Sequence, residues 1–120
     1  MKKFNRRGSR LERQIEAIFR RAGFRTGINS KRFGFENGVV TMHRNFTIIV
    51  ECKEYYNSYL NIKNLIHQWN SKVSTSGVDR GIIAIVGVKS SKSEIELARD
   101  KGIILWGEKK LDDLLVMETK

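Results

Sequence analysis

Phe46-Thr47-Ile48-Ile49-Val50-Glu51-Cys52-Lys53 is an apolar run that ends in two charges. As a strand, its period of two puts Phe46, Ile48, Val50 and Cys52 on one face and Thr47, Ile49, Glu51 and Lys53 on the other. Glu51 and Lys53 then point the same way, with backbones about 6.5 to 7 Å apart. Both side chains can reach one phosphate and the ion or water beside it. The competing reading is a strand end emerging into solvent with a surface ion pair worth about 0 to 1 kcal/mol.

Moving outward, Val39 to His43 reads as a second strand joined to the first by a tight turn at Arg44-Asn45, which makes a hairpin. A shorter strand is expected near Phe24 to Ile28, followed by a basic, glycine-containing loop with Lys31 and Arg32. Ahead of it, Leu11, Ile15, Ile18, Phe19 and Ala22 fall at helical spacing, so a helix is expected from about Arg10 to Ala22. Ser9 and Glu12 have the spacing of a capping box, and Gly23 ends the helix. After a linker with Tyr55 and Tyr56, residues Ile62, Leu65, Ile66, Trp69 and Val73 mark a second amphipathic helix, with Asn61, Gln68 and Lys72 along one edge of its face. Gly81 to Val88 is apolar without alternation, as in a strand covered on both sides. A third helix is expected from Ser93, capped with Glu96, to about Lys101; a short strand follows at Ile103 to Trp106, then a last helix around Leu111, Leu114 and Leu115. This order gives an α/β sandwich with a central mixed five-stranded sheet flanked by helices.

The 120 residues are expected to form one domain, 1–120, with 1–9 as a basic arm. Twenty-three Lys and Arg against 13 Asp and Glu give a net charge of +10 and a pI near 10.1, which favours a polyanionic partner. No apolar run approaches the roughly 20 residues of a membrane span, and no signal-type hydrophobic region follows the first charges, so a cytoplasmic protein is expected. Cys52 is the one cysteine and falls in phase with apolar residues, as a small buried hydrophobe. One Cys and two His fall short of a structural zinc site.

Glu12 on the first helix, Gly23-Phe24 after it, Glu51-Cys52-Lys53 at a strand end, the later GIIAIV and the closing ARDKGIILWGEKKLDDLL together resemble the PD-(D/E)XK nuclease superfamily. Within it the chain is similar to Mrr-like restriction endonucleases and to archaeal-type Holliday junction resolvases. The resemblance implies a restriction endonuclease-like fold and a metal-dependent DNA endonuclease that hydrolyses phosphodiester bonds with Mg²⁺, or Mn²⁺ in its stead. It also implies DNA as partner and a homodimer that presents two sites to two strands.

By the same resemblance, Glu51 is a catalytic acid and metal ligand, the Cys52 backbone carbonyl a further ligand, and Lys53 the residue that orients water and offsets developing charge. Glu12 would contribute from the first helix, with helix capping as its other reading. The family's Asp at the start of the second strand has no counterpart, since no Asp precedes Glu51; Glu36 is assigned in its place. If Glu36 does not serve, a catalytically inactive DNA-binding module is the alternative. Gln68 is a candidate accessory group. Lys3, Arg6, Arg7, Arg10, Lys31, Arg32 and Arg44 are candidate phosphate contacts. His43 and His67 lack a motif and read as ordinary polar residues, and Trp69 reads as core.

Overall fold

The structure, a computed structural model, describes residues 9–28, 38–54 and 61–116. Lys3, Arg6, Arg7, Lys31, Arg32, Glu36, Tyr55 and Tyr56 lie outside the described residues. Helix α1 (Arg10–Arg21) opens with the expected capping box: Glu12 N–H donates to Ser9 Oγ at 3.1 Å, and Ser9 N–H donates to Glu12 Oε1 at 2.7 Å. These bonds satisfy two backbone donors that a helix start leaves over. At the other end Ala22 is the cap and Gly23 takes φ +94°, the left-handed conformation that favours glycine. Phe24 N–H then donates to Phe19 O at 2.9 Å, and the two rings meet edge to face at 5.2 Å. That contact turns the chain from α1 into strand β1 (Arg25–Ile28).

Strands β2 (Gly38–His43) and β3 (Phe46–Glu54) form the expected hairpin, with Arg44 at φ +58° in its turn. Helix α2 (Ile62–Ser76) follows, capped by Asn61 and ended by left-handed Gly77. Asn61, expected on the edge of the helix face, instead accepts the Asn64 N–H as the cap. Next come β4 (Arg80–Val86), α3 (Lys92–Asp100), β5 (Ile103–Trp106) and α4 (Glu108–Val116). The sheet runs in sequence order, β1-β2-β3-β4-β5. The first three strands are antiparallel neighbours, and β3, β4 and β5 are parallel, so the sheet is mixed.

Helix α3 starts earlier than its sequence suggested. Ser91 is the cap and Glu94 the box partner, rather than Ser93 and Glu96. Both pairs have the same spacing, and the earlier one adds helical hydrogen bonds once a cap has met the cost of starting the helix.

The core lies in two layers divided by the sheet. Ile48, Val50 and Cys52 of β3 join Leu11, Ile15 and Phe19 of α1 and Leu111 of α4. Ile49 joins Ile83 and Ile85 of β4, Ile62, Leu65, Ile66 and Trp69 of α2, and Ala98 of α3. The alternation read for β3 and the unbroken apolar run read for β4 thus correspond to two strands that lie between two helical layers.

Helix α2 approaches β4 closely at Gly81. A Cβ there would collide with Val73 Cγ2 and come within 3.1 Å of Trp69 Nε1 and 3.3 Å of Ile103 Cδ1. Gly81→Ala is therefore expected to lower stability by about 1 to 3 kcal/mol, read as a lower urea midpoint. An unchanged midpoint would contradict this packing.

Candidate active site

Glu51 and Lys53 stand on the α2 face of β3, near its C-terminal end. Glu51 faces Gly38 on β2 and Ile83 on β4, and Lys53 faces Ile85. Lys53 Nζ lies 3.1 Å from Glu51 Oε2, with the two side chains 22% and 10% exposed. This is a largely buried pair and not the solvent-facing one that the sequence left open. Glu51 Oε1 is buried without a hydrogen-bond partner among the described residues. Burial holds the Glu51 carboxyl above its ordinary pKa, against the pull of the Lys53 ammonium and, more weakly, of Lys72; the carboxylate of Glu12 adds to the rise.

Glu12 comes from α1, whose apolar side packs on the other face of the sheet. Its side chain is buried, caps the helix through Oε1, and is near enough for its charge to be felt at Glu51. Capping and contribution to the site are therefore compatible roles. The second acid of α1, Glu16, is engaged elsewhere: its Oε2 accepts from Arg20 at 3.0 Å and from Thr26 Oγ1 at 2.7 Å, tying α1 to β1.

The other candidates divide by position. Cys52 is buried in the α1 layer, so its side chain points away from Glu51. Arg10 is exposed at the start of α1, two residues before Glu12 and so on the opposite side of the helix. Arg44 sits in the hairpin turn at the opposite end of β3, about 20 Å along the strand from Glu51. Gln68 and His67 are exposed on α2, and His43 is exposed with its ring 5.3 Å from Phe24. Trp69 is core, as its helical phase indicated. Lys72, read from the sequence only as the edge of a helix, bears on Glu51; its signal was its place four residues after Gln68 on one side of α2.

Among the described residues no group of three or more His, Cys, Asp or Glu could hold a metal ion. The position directly across from Glu51 is Gly38, which carries no donor side chain. What the site does offer a hard cation is the unpartnered buried oxygen of Glu51, with the carboxylate of Glu12 close by. Oxygen donors of this kind fit Mg²⁺ or Mn²⁺ and do not fit a soft metal.

Among the described residues no helix is long and apolar enough to cross a membrane. No curated protein matches the sequence significantly. The fold is similar to the crystal structure of a protein of unknown function, AF1548, with a TM-score of 0.68 and 19% identity over 86% of this chain and 61% of that one. The chain thus spans about three-fifths of that neighbour, and the likeness concerns the fold. A family model described as restriction endonuclease, Mrr_cat, matches residues 5–115. Its match covers the α1 acid, the central strand with Glu51 and Lys53, and the closing α3-β5-α4 unit, so the chain belongs to the Mrr_cat restriction endonuclease family, within the PD-(D/E)XK nuclease superfamily.

Proposed function

We propose that the protein is a divalent-metal-dependent DNA endonuclease whose site is built on Glu51, Lys53, Glu12 and Glu36, with Mg²⁺ as the working ion and Mn²⁺ as a substitute. The observation that carries this reading is the buried Glu51–Lys53 pair on the central strand of an Mrr_cat chain. Glu51 and Glu36 would hold the ion together with the Cys52 carbonyl, and Glu12 would act directly or through water. Glu36 is put forward because it is the only acidic residue between Glu16 and Glu51. The ion supplies charge neutralisation at the phosphoryl oxygens and a lower pKa for water. Lys53 orients the attacking water by hydrogen bonding and offsets charge as it develops on the phosphate, a task suited to a compact ammonium.

The strongly basic composition supports DNA as the partner, with the N-terminal arm, Lys31, Arg32 and Arg44 as further phosphate contacts. The whole chain is read as one nuclease-like domain. A two-fold dimer would bring two such sites to the two strands, and its mass in solution is measurable by light scattering. Gly38 opposite Glu51 favours a second reading, a DNA-binding module of the same fold that does not cut.

Incubation with plasmid, linear duplex and four-way-junction DNA plus Mg²⁺ or Mn²⁺ separates the two. Cleavage that falls about 10²- to 10³-fold in Lys53→Ala and Glu51→Gln, with DNA still bound, is the expected result. Binding by the wild type without cleavage of any substrate would overturn the nuclease reading in favour of the silent module.

The raised pKa of Glu51 has a consequence for stability. Below the ordinary value of 4.5 the carboxyl is neutral folded or unfolded, and it costs the fold nothing. As pH rises from there through the higher folded value, the unfolded chain loses its proton first, and stability falls. Glu51→Gln removes that loss. Its melting temperature is expected to match the wild type near about pH 4 and to exceed it at neutral pH, and a difference that does not change with pH would contradict the assignment. Millimolar Mg²⁺ or Mn²⁺ is expected to raise the neutral-pH melting temperature of the wild type more than that of Glu51→Gln, as an ion that binds only the folded state must.

A further inference from the structure

The helices differ in what they show to water. Helix α3 exposes Glu96 and Asp100, and α4 exposes Glu108, Asp112 and Asp113. Helix α2 has no Asp or Glu anywhere in its 15 residues. Its exposed face instead carries Asn64, with His67, Gln68 and Ser71 following at helical spacing along one stripe. Asn, His and Ser are weaker helix formers than Ala, Glu or Lys, and packing makes no demand at exposed positions, so the fold gains nothing from them there. Among the described residues the side chains of Asn64, His67 and Ser71 make no hydrogen bond or ion pair, which leaves their donors and acceptors open to a ligand.

The stripe also begins near the site. Trp69 and Val73 lie against Gly81, the partner of Ile49. Because β3 and β4 are parallel, α2 carries the chain back from the Glu54 end of β3 to Arg80, and the turns before Trp69 lie toward the end that bears Glu51 and Lys53. From Asn64 to Ser71 the helix advances about 10 Å. The major groove of B-DNA, about 12 Å wide, admits an α-helix, and a face without carboxylates is not repelled by the phosphates that flank the groove.

We propose that α2 is a base-reading helix, and that Asn64 makes the site selective for sequence by contacting an adenine in the major groove of bound duplex DNA, with His67 and Ser71 lying along the same groove. A carboxamide accepts from adenine N6 and donates to adenine N7 at once, a pattern that only adenine offers there. The proposal rests on the reading of the site as a DNA-binding nuclease centre and adds to it how a duplex is chosen.

Duplexes with a randomised stretch are selected for binding to the wild type with Ca²⁺ in place of Mg²⁺. Affinities for the selected duplex, and for duplexes in which each A·T pair is replaced in turn, are then measured for wild type, Asn64→Ala and Thr75→Ala. Thr75 is exposed near the far end of α2 and controls for substitution alone. Alanine is the better helix former at both positions, so the melting temperatures of the variants should stay level or rise. The wild type and Thr75→Ala should lose affinity by about 5- to 150-fold when one particular A·T pair is replaced, and Asn64→Ala should be indifferent to that replacement. The slope of log affinity against log salt should be the same in all three, since no phosphate contact is removed. Failure to enrich any sequence, an adenine preference that survives in Asn64→Ala, or an equal loss of preference in Thr75→Ala overturns the assignment. Cleavage scored separately in Mg²⁺ keeps the readings apart: equal cutting of all duplexes sinks the base-reading helix alone, sequence-dependent binding without cutting sinks the nuclease alone, and no binding of DNA by the wild type sinks both.

Discussion

A carboxylate carried into the end of a buried strand must find positive charge or stay protonated. Glu51 is placed there because β3 is the central strand of the sheet, with β2 on one side, β4 on the other and helices over both faces. Leaving water penalises its charged form, and a single hydrogen bond to Lys53 does not fully offset that penalty. The fold tolerates this cost at one position while Ile48, Ile49 and Val50 of the same strand are buried apolar residues. A costly polar group kept at the rim of an otherwise apolar sheet is more readily understood as serving chemistry than as serving stability.

The topology explains why charged groups from different parts of the chain meet at this point. Strand β3 closes the antiparallel hairpin and also begins the parallel half of the sheet. Its C-terminal end therefore lies where the chain must leave the hairpin and cross over to β4 through α2. That crossover brings Lys72 over the sheet on the Glu51 face. The capping box at the start of α1 gives Glu12 a fixed position from the other layer. One side chain thus helps to fold the first helix and also contributes negative charge beside Glu51.

Much of this was legible in the sequence, because it rested on patterns with a physical period. The two-residue alternation of Phe46 to Lys53 and the unbroken apolar run from Gly81 located the two most buried strands, and the helical spacing in α1 and α2 located the faces that cover them. The cap of α3 was misread because the sequence offers two overlapping Ser-x-x-Glu pairs of the same local chemistry, and only the longer helix distinguishes them. Asn61 was misassigned for a similar reason, since a residue just before a periodic pattern can extend the face or cap it. What the sequence concealed was pairing in space. That Gly38 faces Glu51 depends on the hairpin register, and that Lys72 bears on Glu51 depends on how α2 lies over the sheet. Neither follows from spacing along the chain. Family membership, suggested by the E-x-K element and the order of elements, is carried by the match over residues 5–115.

The most direct measurement is anomalous diffraction from crystals of the protein soaked with Mn²⁺. The account predicts a manganese peak within roughly 2.5 Å of a Glu51 carboxylate oxygen, with Lys53 beside it and a second carboxylate completing the shell. Manganese bound only elsewhere, with Glu51 still paired to Lys53 alone, would contradict it.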